Sequence, residues 1–208
     1  VSGDLIKLIK FSSLLGIARG LTALASRLDV LMIISLRGPT EAGIYATASR
    51  IIAIYPLLSG SFGTVIAPRL SILTETKILK EFMLKVVMGT IGLISTVFIL
   101  IIFAKPFMLL LFPQKGAEAI SVFQLLLVSM IFFVGSLPAV SLAIYYLKKP
   151  HILTINSVLQ LIVVFFGNLI FIPKFGRFGA SYSLIIAYSI TLFSTSALTL
   201  FYLKKKHP

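Results

Sequence analysis

Apolar residues fill six long stretches of the chain, and polar residues gather in the short intervals between them. A helix needs about 20 mostly apolar residues to cross a bilayer. The stretches Phe11–Leu36, Glu41–Ile66, Val86–Phe103, Ala119–Leu147, Ile152–Ile172 and Ala180–Leu203 all approach or exceed that length. No run alternates with a period of two, and a helix satisfies its own backbone hydrogen bonds in lipid whereas an open sheet does not. The pattern predicts an all-α, polytopic membrane protein: one six-transmembrane-helix bundle over residues 1–208. Pro56 and Pro138 fall inside the second and fourth helices, where each removes a backbone bond and should kink its helix. "KPFMLLLFPQKGAEA" is too short to span and is bracketed by Pro106 and Pro113. It reads as the end of the third helix plus an interfacial segment.

Composition strengthens this reading. The chain is 58% hydrophobic and only 12% charged, against about 25% charged in an ordinary soluble domain. That leaves too little polar surface to cover a soluble globule. Cysteine is absent and there are two histidines, so neither a disulfide framework nor a Cys- or His-based metal site is expected. No cofactor is implied. The net charge of +13 would suggest nucleic acid in a soluble protein. Here most of the excess lies between apolar stretches, so nucleic acid is not the expected partner and the charge reports topology.

Basic loops stay cytoplasmic. With the N-terminus inside, the inner side holds Lys7, Lys10, Arg69, Lys77, Lys80, Lys85, Lys148, Lys149 and Lys204 to Lys206. The outer side holds only Arg37, Lys105, Lys115, Lys174 and Arg177. Both termini are then cytoplasmic. The longest inner loop, "RLSILTETKILKEFMLK", is basic and amphipathic and is expected to lie along the inner surface. In the outer turn "RGPTEAG", Thr40 is placed to cap the second helix and Glu41 sits near that helix's positive start. No signal peptide is visible after Val1, and the chain looks like a piece of a longer protein.

The first helix is unusual. Within "ARGLTALASRLDVLMI" lie Arg19, Arg27 and Asp29. Ser12, Arg19, Thr22, Ser26 and Asp29 follow one another at intervals of 7, 3, 4 and 3, which puts them on one helical face. Counting from the turn near Pro39, Asp29 and Arg50 both lie roughly 15 Å below the outer end, close to mid-membrane. An interhelical ion pair between Asp29 and Arg50 is therefore expected. A charge at that depth costs at least about 2.5–3.5 kcal/mol on insertion scales. Three arginines against one aspartate leave a surplus, which needs water, snorkelling to lipid phosphate or an anionic ligand. The favoured expectation is a wet cationic cavity lined by Arg19, Thr22, Ser26, Arg27 and Arg50. On the fifth helix Asn156, Gln160 and Asn168 share a broad face, either bonding between helices or lining that cavity. Gln124 lies in the fourth helix.

Enzyme chemistry is disfavoured. Asp4, Asp29, Glu41, Glu75, Glu81 and Glu118 are the only acids, and no two lie within one helical turn to hold a metal ion. There is no phosphate-binding glycine loop and no Ser/His/Asp set at membrane depth.

Two stretches suggest a family. "DVLMIISLRGPTEAGIYATASRIIAIYPLLSGSFGTVIAPRLS" and "NLIFIPKFGRFGASYS" resemble the polysaccharide and O-antigen flippases (Wzx-type). These form part of the multidrug/oligosaccharidyl-lipid/polysaccharide exporter superfamily. The resemblance rests on Asp29, the Gly38 turn, "AGIY" at 42–45, "ASRI" at 48–51, "PRLS" at 68–71, and the asparagine, "IP" and glycine-rich turn from 168 onward. It implies a prokaryotic cytoplasmic-membrane transporter of two six-helix lobes, of which this chain would be the C-terminal one. It also implies alternating-access flipping of undecaprenyl-diphosphate-linked oligosaccharide, with cavity cations meeting the diphosphate or acidic sugars. Of the charged residues, Asp29 and Arg50 sit on motif positions; Arg19 and Arg27 rest on the helix-face argument alone. The expected partners are the bilayer, the anionic lipid-linked sugar and the missing N-terminal lobe. The competing classes are a cation-coupled multidrug exporter and a non-transport membrane subunit packed on a neighbour.

Overall fold

The computed structural model describes residues 2–73, 75–114 and 116–206, with the side chains of 2–8, 10, 11, 26, 76 and 206 left aside. Among these residues the chain is helical throughout and has no strand. The elements are α1 (Ser2–Arg37), α2 (Pro39–Ile52), α3 (Ile54–Ile72), α4 (Thr76–Ile102), α5 (Ala104–Leu111), α6 (Gly116–Gly135), α7 (Leu137–Ser141), a π-helical turn (Leu142–Tyr146), α8 (His151–Phe175) and α9 (Arg177–Lys206).

Five helical segments among the described residues are long and apolar enough to cross a membrane: Pro39–Ile72, Lys77–Ile102, Gly116–Tyr146, His151–Phe175 and Arg177–Lys205. They mark a multi-pass membrane protein. The expected first span lies within α1, which is long enough at about 54 Å. However, α1 is not among the five, since Arg19, Arg27 and Asp29 interrupt its apolar run.

Both proline kinks have a local cause. Pro56 has no N–H to give the carbonyl of Ile52, and α2 ends at that residue. The chain turns at Ala53 and resumes as α3, so one expected helix is two segments meeting at a break. Pro138 likewise leaves Val134 without its partner; α6 stops at Gly135 and α7 carries Pro138 in its first turn. The segment expected at the interface folds as α5, a two-turn helix lying on α6.

The inner loop departs from expectation. Residues 69–85 do not form a separate surface helix. The first four end α3, and from Thr76 onward the chain is already α4, continuous with its span. Its lysines are spaced as a helical surface, and the apolar residues between them let the helix run on.

Packing forms a ring. α1 touches α2, α2 touches α6, α6 touches α9, α9 touches α8, and α8 returns to α1. α4 and α5 lie against the outside of α6. The ring is filled by Ile33, Tyr45, Ala48, Phe123, Leu126, Val134, Val164 and Ala187, all buried. A smaller cluster of Ile66, Leu70, Leu79, Val86 and Tyr146 ties the end of α3 to the start of α4 and the π turn.

Two one-residue turns close the opposite end. Gly38 (φ 89°) joins α1 to α2, and Gly176 (φ 57°) joins α8 to α9. Glycine reaches positive φ without the Cβ clash that other residues suffer. Gly38, not Thr40, is the N-cap of α2, with Pro39 as its first residue. Glu41 serves another helix: its Oε2 accepts the backbone N–H of Arg177 (3.0 Å) and its Oε1 accepts Nη1 of the same arginine (2.6 Å). Arg37 donates Nε to the carbonyl of Ile172 (3.1 Å) and Nη2 to that of Pro173. The two hairpin tips are thus laced together. Arg37 satisfies carbonyls at the end of α8, and Glu41 satisfies an N–H at the start of α9.

Candidate functional site

Asp29 is the natural starting point, because its side chain is buried inside the ring (2% exposed). It is held by neutral donors. Tyr45 of α2 donates its hydroxyl to Oδ2 at 2.9 Å, and Asn168 of α8 donates its amide to Oδ1 at 2.9 Å. Three helices meet at this carboxylate. The other polar atom of Asn168, Oδ1, is buried with no partner among the described residues.

The expected Asp29–Arg50 ion pair does not form: no salt bridge links the two, and the one between described residues joins Arg177 to Glu41. The reason is helical phase. Tyr45, Ala48 and Ile52 form the buried line of α2. Arg50 follows Tyr45 by five residues, which is about 140° round the helix. The face that reaches Asp29 is the tyrosine's, and Arg50 is exposed.

Arg27 and Arg50 nevertheless come together. With Asp29, Tyr45, Ser49, Pro56, Met130 and Tyr188 they line a cleft of about 550 Å³. Both arginines are exposed at it, and among the described residues neither has a salt-bridge partner. Asp29 lines the same cleft, with both oxygens already engaged. The break at Ala53 and the proline at 56 form part of the wall.

The proposed stripe on α1 divides. Ala18, Ala25, Asp29 and Met32 are its buried line. Thr22 lies about 40° from Ala18 and Arg19 about 100° from it. Accordingly Thr22 is half-buried against Ser157 of α8 (Oγ1 to Oγ 3.3 Å), while Arg19 is exposed and lines neither of the cavities described here. Ser26 belongs to the side chains outside the described set.

Thr22 lines a second, smaller cavity of about 150 Å³ with Ser136, Asn156, Ser157, Gln160, Tyr188, Thr191 and Thr195. No charged group lines it; hydroxyls and amides share its wall with Phe133, Leu137, Val140 and Leu153, and most of its surface is apolar. Asn156 serves both alternatives raised by the sequence. It lines this cavity and also bonds between helices, donating to Thr195 (2.6 Å) and accepting from Ser194 (2.8 Å) of α9. Gln160 lines it as well, whereas Asn168 reaches Asp29 instead. Tyr188 lines both cavities and stands between them. Gln124 donates to the carbonyl of Ile101, joining α6 to α4 (3.2 Å).

Sequence reasoning missed Tyr45 and Tyr188. Tyr45 follows Asp29 by 16 residues across a one-residue turn, a spacing that brings antiparallel partners close to one level. Its hydroxyl was the signal, since a tyrosine buried in a bundle usually finds an acceptor.

Compared with protein-family models, with curated proteins and with solved structures, the chain matches none. The functional reading therefore stands on the site.

Proposed function

We propose that this chain is the C-terminal six-helix lobe of a two-lobe transporter, with α1 as its sixth spanning helix. On this reading it flips an anionic lipid-linked oligosaccharide across a prokaryotic cytoplasmic membrane by alternating access. It acts as a transporter and not as an enzyme. The supporting observation is the cleft of about 550 Å³ in which Arg27 and Arg50 are exposed without a carboxylate partner. Guanidinium groups make charge-assisted, bidentate bonds to phosphate and carboxylate. A diphosphate head is thus matched by cations, while the sugars and polyprenyl chain occupy the rest of the path with the other lobe. A multidrug exporter for organic cations would want free acids in the cleft. Here the only carboxylate is Asp29, and both of its oxygens already accept hydrogen bonds.

The test uses the full-length protein in a strain lacking its own flippase. Arg27→Ala with Arg50→Ala should cut surface polysaccharide at least about tenfold, the scale of one lost charge-assisted bond, at unchanged membrane abundance. Normal polysaccharide from that variant would overturn the reading.

A further inference from the structure

At the far end of the bundle from the Gly38 and Gly176 turns, the last turns of α3 and the first turns of α4 form a V. Arg69, Ile72 and Leu73 line one arm, and Ile78, Glu81, Phe82 and Lys85 line the other. On α4 the lining residues are spaced i, i+3, i+4, i+7 and form one continuous helical face; on the other arm Arg69 and Ile72 belong to the last turn of α3 and Leu73 is its extended C-cap residue. Between them is a cleft of about 220 Å³. Leu70, Leu79 and Val86 are buried behind it and fix the angle between the arms.

We propose that this cleft is a binding site for the headgroup of an anionic phospholipid. The charges are complementary: Arg69 and Lys85 face one acid, Glu81, and among the described residues neither cation is salt-bridged to it. Their N–H donors are therefore available to a phosphodiester. The remaining wall is apolar and faces outward. Ile72 is 76% exposed and Ile78 45%, which continues the cleft into the surface that acyl chains cover. The vertical placement also suits a lipid. Arg69 stands one turn from the end of α3, and Lys85 about 13 Å along α4 from Thr76. A lysine at that height snorkels back toward the headgroup level, where it meets the arginine. Basic pockets between spanning helices are recognised headgroup sites. A free anion has no use for the apolar wall; a phospholipid covers it. The site is independent of the transport reading, because it needs only that α3 and α4 lie in a membrane.

Lys149 and Lys205 flank a comparable cleft nearby, but there the ammonium of Lys149 already lies over the ring of Tyr202 at 5.5 Å. That cleft is the control for simple surface charge.

The experiment is native mass spectrometry of the full-length protein in detergent with equal amounts of phosphatidylglycerol and phosphatidylcholine, supported by the melting temperature in each lipid. Wild type should retain phosphatidylglycerol in preference to phosphatidylcholine. Arg69→Gln with Lys85→Gln should lower that retention about tenfold, and Lys149→Gln with Lys205→Gln should leave it within about twofold. Glu81→Gln, which removes the one repelling charge, should raise it, and this gain cannot come from misfolding. Equal retention of the two lipids, an equal loss in both lysine-bearing double variants, or displacement of the lipid by inorganic phosphate would each overturn the proposal.

Discussion

Asn168 and Asp29 are 139 residues apart in the chain, and the amide of one donates to the carboxylate of the other at 2.9 Å inside the ring. With Tyr45, this bond makes the carboxylate the meeting point of α1, α2 and α8. Removing either donor leaves Asp29 buried with a single bond. Asn168→Ala and Tyr45→Phe should each cost about 1–2 kcal/mol, and the two together more than their sum, since the last donor is then gone. Arg50→Ala should be close to neutral, because Arg50 is exposed and unpaired. Unfolding in detergent micelles measures all four. A loss from Arg50→Ala as large as that from Asn168→Ala would restore the ion pair that the helical phase argues against.

The Glu41–Arg177 contact is a second tie between distant hairpins, and it has two parts. One is the side-chain pair, the other the backbone N–H of Arg177 bonded to the same carboxylate. Glu41→Gln keeps an acceptor for the N–H and loses the charge, so it should cost less than Glu41→Ala; about 1 kcal/mol is expected for the latter. Exchanging the two residues, Glu41→Arg with Arg177→Glu, should recover only part of the loss. The swapped pair restores Coulomb attraction but leaves the N–H of residue 177 without its carboxylate. Full recovery would mean that the backbone bond contributes nothing.

The arginines of α1 separate into two predicted behaviours. Arg27 lines the large cleft and Arg19 lines neither cavity. In the full-length protein, Arg19→Ala should leave surface polysaccharide unchanged while Arg27→Ala lowers it severalfold. The same loss from both would return Arg19 to the cavity and place the transport path along the outer edge of α1.

How far the sequence was readable follows from what each feature depends on. Apolar run length made the helices visible, and missing N–H groups made the breaks near Pro56 and Pro138 visible, because both are local. The lodging of Asp29 was not. Its depth could be counted from the turn, but its partner was set by which face of α2 turned inward. Arg50 and Tyr45 are five residues, about 7.5 Å, apart along α2 and about 140° round it, and it is the tyrosine that the helix turns toward Asp29. The stripe on α1 divides for the same reason, with Asp29 buried and Arg19 exposed. An interval of three or four keeps residues within about 60° of each other, yet one such step can pass from a half-buried position to an exposed one, as it does between Thr22 and Arg19. The role of Glu41 was hidden because the N–H it satisfies belongs to α9, 136 residues away. The basic asymmetry was fully visible, but what it implies about the two sides of the membrane is a matter for labelling.

The chain has no cysteine, which makes that labelling clean. Cysteines introduced at Lys148 and Lys204 lie at the end of the bundle that gathers the basic residues; one at Lys174 lies beside the Gly176 turn at the other end. In intact cells the first two should resist an impermeant thiol reagent added outside, and the third should react, because basic loops stay cytoplasmic. The opposite pattern would invert the topology and with it the direction of the proposed transport.

Gly176 offers a test in which one substitution should rescue another. Its φ of 57° and ψ of −138° fall in a region that is essentially glycine's alone, and a non-glycine residue held there costs roughly 2 kcal/mol. A second cost comes from space. A Cβ at this position would sit 2.7 Å from Oε2 of Glu41, the oxygen that receives the N–H of Arg177. Gly176→Ala should therefore strain the backbone and also push Glu41 off the start of α9. Its total cost should be about 3 kcal/mol, the sum of the strain and of the roughly 1 kcal/mol lost with the Glu41 contact. In a Glu41→Ala background the displaced carboxylate is already absent. Adding Gly176→Ala there should cost only the strain, so the pair should be less damaging than the sum of the two single variants by about 1 kcal/mol. Unfolding measurements on the two single variants and the double variant decide it. Strict additivity would show that the alanine methyl and the Glu41 carboxylate do not compete for the same space, and that the two hairpin tips are not coupled through this carboxylate.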